Sequence, residues 1–178
     1  MYRLSAFLLS VVAMACFAED HSITFSKYSP KLKLVSLDRE KSVARFRGVV
    51  ALTGTLFIGF DMAEPNLANG EVNFAKFVPD ATSIVRLPAV VAGFYPSQVK
   101  YVLLEPSDSA LEAVFGKKEA ARLSHGTEHY VSRRVKVLIR NYTTSVECDS
   151  RGYSSNFISI EPLVNQQAAI IGGAPSGC

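Results

Sequence analysis

Every second residue from Ala44 to Phe60 is apolar or small, and that period limits the fold more than any other feature of the chain. One parity reads Ala44, Phe46, Gly48, Val50, Leu52, Gly54, Leu56, Ile58 and Phe60, all apolar or small. The other mixes Arg45, Arg47, Thr53 and Thr55 with Val43, Val49, Ala51, Phe57 and Gly59. Successive side chains of a strand point to opposite faces, so a period of two predicts a β-segment with one face buried. Fully extended, it would reach about 60 Å, too long for a straight strand in one domain of this size. It must bend or fold back, and Gly48, Gly54 and Gly59 are the places where a bulge or turn is easiest. A bent, strongly coiled pair of strands is expected, and Thr53-Gly54 could be a two-residue hairpin loop.

The same period recurs elsewhere. Residues 22–37 alternate, with Lys31 and Lys33 opposed to Leu32 and Leu34. Val72, Phe74 and Val78 share a parity, and residues 83–87 and 99–104 read as further strands. In residues 128–148, Val131, Arg133, Val135, Val137 and Ile139 lie on one side. Arg134, Lys136, Leu138 and Arg140 lie on the other. A corner at residues 148–153 leads into a last alternating segment through Glu161. Residues 87–99 are uncharged but interrupted by Pro88, Gly93 and Pro96, which predicts a buried connection.

One helix is expected, over about 109–124. Ser109 and Glu112 have capping-box spacing, and Leu111, Val114 and Phe115 form the apolar stripe, extended by Ala120 and Leu123. Gly116 weakens it, and Gly126 suits its end. The predicted fold class is mainly β: an antiparallel β-sandwich or partly closed barrel, one helix, one disulfide.

The first 18 residues read as a secretory signal peptide. Arg3 precedes an uncharged run over residues 4–18, which ends in small residues before Glu19-Asp20. That run is shorter than the roughly 20 residues of a membrane-spanning helix. Cleavage after Ala18 leaves residues 19–178 as a single β-rich domain with no transmembrane helix. Cys16, after Ala13-Met14-Ala15, resembles a bacterial lipoprotein box and offers a lipidated alternative. Periplasmic or secreted localisation is the expectation. Cleavage removes Cys16 and leaves Cys148 and Cys178, a pair that reads as a disulfide in an oxidising compartment. It would pin the Gly-rich tail and close a loop of about 30 residues, worth about 3 kcal/mol in the chain-entropy model.

The composition, 48% apolar and 20% charged, is that of a globular domain rather than a disordered one. Lys plus Arg number 19 against 16 acids, an excess too small to imply nucleic acid. Arg134, Lys136 and Arg140 form a basic stripe on one predicted strand face. It suits either plain solvation or contact with an anionic partner: lipid head groups, an acidic glycan or an acidic protein patch. Phe46, Phe57, Phe60, Phe74 and Phe77 read as core. Tyr130, Tyr142 and Tyr153 read as rim, and Tyr28 and Phe94-Tyr95 as candidate surface aromatics.

His125-Gly126-Thr127-Glu128-His129 fits H-x-x-E-H and resembles the inverzincin metalloproteases over those five residues. The resemblance implies His125 and His129 as zinc ligands and Glu128 as general base. Read from the residues alone, it is a polar turn after a helix. In an extended chain its two histidines lie about 13 Å apart, beyond joint ligation. No Gly-x-Ser-x-Gly elbow, phosphate-cradling glycine loop or calcium-loop cluster is present. The leading expectation is therefore an exported, non-enzymatic binding or envelope-associated protein without a cofactor. The alternatives are a metal-dependent hydrolase using His125, Glu128 and His129, or an inhibitor of a secreted enzyme using residues 61–70 as its inserted loop.

Overall fold

A computed structural model of the chain describes residues 23–60, 72–91, 98–124, 130–147, 150–163 and 169–170. The elements are β1 (Thr24–Phe25), β2 (Lys33–Asp38), β3 (Val43–Phe60), β4 (Val72–Pro79), α1 (Ala81–Ile84), β5 (Val90–Val91) and β6 (Val102–Glu105). They continue with α2 (Ser107–Phe115), α3 (Lys117–Ser124), β7 (Tyr130–Glu147), β8 (Ser150–Pro162) and β9 (Ala169–Ile170). The described fold is mainly β with few helices.

The long segment forms one continuous strand rather than the expected pair of strands: β7 pairs along almost its whole length, and no hairpin loop forms at Thr53-Gly54. β7 runs antiparallel along one edge of β3, from Val43↔Ser145 to Gly59↔Tyr130. The other edge is shared: β2 pairs with the first half and β4 with the second. β6 joins β4, and β8 joins β6 on one side and β7 on the other. The order β3-β4-β6-β8-β7 therefore returns to β3 and closes a five-stranded ring, a barrel rather than two stacked sheets. Closure removes the exposed edges that an open sheet leaves unpaired. The pairing is not wholly antiparallel: β6 and β8 are parallel.

Closure needs a bend, and it falls at Gly48. The register of β3 against β7 shifts between Phe46 and Val49. Gly48 has φ +138°, and Asn141 on β7 has φ +53°. These two positions form a double irregularity that re-aims the strands between the barrel's two halves. The apolar parity of β3 faces inward, with Ala44, Phe46, Val50, Leu52, Leu56 and Ile58 all buried. Val135, Val137 and Ile139 of β7 and Phe77 of β4 meet them.

Expected residues 22–37 divide into β1 and β2 around a turn, where Leu32 N–H donates to the Ser29 carbonyl. β1 pairs with β5 in a separate two-stranded sheet. It brings Phe25 and Tyr28 edge-on to Phe46, with ring centres 5.0 and 5.5 Å apart. Tyr142 stands 5.9 Å from Phe46 and stacks on Tyr153. Tyr142 and Tyr153 are thus buried, not rim residues. Phe57 and Phe74 depart the other way. They fall on the outer parity and are half-buried, whereas Phe46, Phe60 and Phe77 are core.

Two other expectations are corrected. Residues 83–87 are not a strand: Ile84 N–H donates to the Asp80 carbonyl and Arg86 N–H to that of Ser83. These local bonds, together with Ser83 Oγ accepting from Thr53 N–H at 2.8 Å, favour a helical turn docked on β3. The single helix over 109–124 is two helices, α2 and α3, broken at Gly116, whose φ of +76° no helical residue adopts. α2 begins at Ser107, after Pro106, and no side chain caps it, so the Ser109–Glu112 spacing forms no capping box. Pro106 holds its φ at −76°, a ready entry to the helix two residues earlier than expected. Ala110, Leu111 and Val114 of α2 are buried, and α2 packs against β4, β6 and β8.

Candidate anion-binding face

The basic residues of the predicted stripe all lie on the outer side of β7, but their surroundings differ. Arg134 forms a two-pronged pair with Asp80, its guanidinium nitrogens 2.5 and 2.6 Å from the carboxylate oxygens. Thr55 lies opposite Arg134 in the register, and Asp80 N–H donates to the Thr53 carbonyl. Arg134 therefore tethers the α1 turn to the barrel wall. The Arg134 hydrogen bonds hold the Asp80 carboxyl below its ordinary 3.8, against a smaller opposing effect of burial. Lys136 reaches Glu161 across the β7–β8 ladder at 3.4 Å, a solvated contact worth little.

The Asp80 pair makes a pH prediction. A carboxyl whose folded pKa is depressed contributes stability above its unfolded pKa and loses it as pH falls through the folded one. Asp80→Asn is expected to destabilise the protein by about 1 kcal/mol at pH 7, because side chains about a third exposed are partly screened. The difference from wild type should shrink only below about pH 3.8. Urea titrations of both proteins at pH 7, 4 and 2.5 measure it.

Arg140 belongs to a different group. It stands opposite Val49 of β3, and both are exposed. Two residues before Val49, Arg47 lies directly opposite Lys33 of β2. Arg45, one outward position further, faces Ser36 on one side and Thr143 on the other. Four exposed cations, Lys33, Arg45, Arg47 and Arg140, thus occupy neighbouring outward positions on three adjacent strands. None of the four makes an ion pair among the described residues. Asp38, at the end of β2, accepts from Lys41 N–H. Like charges directly opposite each other on a sheet repel, so the Lys33–Arg47 pairing is unfavourable without an anion between or above the two. Such a group raises local anion concentration.

Sequence parity places Arg45 and Arg47 on the outer face of β3, yet it does not join them to Arg140. That neighbourhood depends on the bulge at Gly48, which shifts the cross-strand register, and on β2 pairing back onto β3. A second outward group also escapes the periodic pattern. Lys76 Nζ lies 4.4 Å from the Tyr101 ring centre and 5.3 Å from that of Phe74. Phe74 in turn lies 5.9 Å from Tyr130. There the cation is satisfied by the two rings it covers.

His125, Glu128 and His129 lie outside the described residues, as do Cys16, Cys148, Cys178, Phe94-Tyr95, the loop over 61–70 and the leader over 1–18. Among the described residues, no group of His, Cys, Asp or Glu is placed to hold a metal ion, and no helix is long and apolar enough to cross a membrane. The chain matches no protein-family model, no curated protein and no solved structure.

Proposed function

We propose that the chain is an exported, non-enzymatic binding module that engages an anionic partner through Lys33, Arg45, Arg47 and Arg140. The observation that carries this reading is the set of four exposed cations without an ion-pair partner among the described residues, two of them directly opposed across a strand pair. Plain solvation of a sheet face normally mixes both signs of charge, as Lys136 and Glu161 do further along β7. Here cations predominate, with Asp38 on the same face at the end of β2, opposite Val43. A closed barrel also supplies a rigid wall on which such a group is held at fixed spacing.

Retention on an immobilised sulfated polysaccharide tests the face. The double variant Arg47→Gln/Arg140→Gln is expected to elute at clearly lower salt than wild type. Lys117→Gln/Lys118→Gln, on α3, removes the same charge elsewhere and should elute near wild type. Equal elution of the two double variants would reduce the effect to net charge and remove the site.

Export carries its own test. The leader-like residues 1–18 and the Cys148–Cys178 pair predict a secreted product beginning at Glu19, two hydrogens lighter than its reduced form. Intact mass of material recovered from outside the cytoplasm, with and without reductant, decides both. A mass increased by acyl chains on a product beginning at Cys16 would instead establish the lipidated form.

A further inference from the structure

We infer that the anionic partner is the surface of a bilayer containing acidic lipids, with β2 and the bulge of β3 as the contacting edge. This rests on the anion-binding reading and goes beyond it by choosing the source of the anion. The choice comes from what stands between the cations. Val49, opposite Arg140 and next to Arg47 on the same face, is 42% exposed. Val35 is the extra residue of a bulge in β2, where the register jumps from Leu34 to Ser36, and it is 55% exposed. Two residues of a bulged strand oppose one on its partner, so Val35 and Ser36 together face Arg45. Leu34, also exposed, pairs with the inward Phe46 and lies on the other face of β2, so Val35 and Val49 are the two aliphatic groups beside the cations.

Exposed aliphatic side chains ringed by cations fit a surface that is anionic at the phosphate level and apolar just beneath it. The cations meet phosphates while the aliphatic groups enter the boundary between head groups and acyl chains. A nucleic acid or a glycan chain is recognised in good part by stacking on aromatic rings. Among the described residues none of the rings belongs to this group: Phe46 and Tyr142 point inward there, and Phe74 and Tyr101 lie around Lys76. Among the described residues β2 also pairs on one side only, so its far edge can approach a flat surface.

The experiment is sedimentation of the full processed chain with vesicles of phosphatidylcholine alone or with about a third phosphatidylglycerol. The sulfated-polysaccharide column runs in parallel. Binding to the acidic vesicles only is expected, weakening with salt as screening requires. Each of Arg45→Gln, Arg47→Gln and Arg140→Gln should lower partitioning about five-fold, the loss of one basic residue near an acidic surface. Val35→Ser/Val49→Ser keeps every charge and should lower it about ten-fold while leaving the column elution unchanged. Column retention without vesicle binding would overturn the bilayer inference and leave the anion-binding face standing. Loss of both would overturn both. Vesicle binding indifferent to the valine pair would overturn the insertion of β2 and the bulge. These substitutions lie on the surface, where effects on stability are small, and matched thermal melts verify that the variants fold.

Discussion

Tyr142→Ala is expected to destabilise the protein by about 3–5 kcal/mol, and Tyr142→Phe by only about 1 kcal/mol. Tyr142 is fully buried, tilted against Phe46 and stacked on Tyr153. Its hydroxyl donates to the Pro88 carbonyl at 3.1 Å, in the connection that leads to β5. The ring thus joins strands β3, β7 and β8 of the barrel wall to the connection that leads into the small β1–β5 sheet. Truncation to Ala removes an aromatic ring from a site whose walls are strands fixed by their ladders, so collapse around the cavity is limited. Truncation to Phe keeps the ring and leaves only the Pro88 carbonyl without its donor. Burial also pushes the Tyr142 hydroxyl well above the ordinary phenol range, with Tyr153 adding to the effect, which favours the protonated donor. Urea midpoints of the three proteins measure the series. In a domain of this size each kcal/mol moves the melting temperature by about 2–4 °C, so the Ala variant should melt roughly 10 °C below wild type. An Ala variant within about 1 kcal/mol of wild type would mean that Tyr142 does not join these parts.

The legible part of the fold is the part governed by period. In β3 the inward residues can be named because every second residue from Ala44 to Phe60 is apolar or small, and burial follows that parity; in β7 the period holds over Val135, Val137 and Ile139, after which Asn141 shifts the inward parity to Tyr142 and Thr144. What period does not encode is which strand lies beside which. Arg140 is readable as an outward cation, but its grouping with Arg47 and Lys33 requires two strand pairings and two irregular residues, Gly48 and Asn141, whose effect is geometric. Arg134 shows the converse. Its sequence neighbours suggest a free cation, yet Asp80, 54 positions away, neutralises it. Residues 83–87 read as a strand because Ile84, Val85 and Leu87 carry strand-like side chains. Ser83 and Asp80 decide the local structure instead, by bonding to Thr53 and Arg134 on the barrel wall. Tyr142 and Tyr153 read as rim for a related reason. A tyrosine is apolar along most of its length, and a single buried carbonyl such as that of Pro88 suffices to take its hydroxyl into the core.

Gly48→Ala is the second large loss expected, about 3–5 kcal/mol, and it couples stability to the candidate site. Two costs combine. At φ +138° an L side chain is strained by about 1–3 kcal/mol. A Cβ there would also sit 1.8 Å from the Lys31 carbonyl oxygen and 3.2 Å from the Leu32 Cα. Those are backbone atoms, so relief requires moving the chain, and forced repacking of this kind costs about 1–3 kcal/mol more. Gly116→Ala separates the two terms. Gly116 also has positive φ, at +76°, but nothing lies within 4 Å of its Cβ position, so its variant should carry the strain alone. The difference between the two variants in urea then measures the close approach of the Lys31 backbone to β3. That approach carries a functional consequence, since the segment displaced by the added methyl group leads directly into Lys33, the partner of Arg47 across the ladder. Gly48→Ala should therefore lower retention on the polyanion column under conditions where it remains folded, and Gly116→Ala should not. If Gly48→Ala costs no more than Gly116→Ala, β2 does not pack on the bulge as described, and the four cations lose the geometry that groups them.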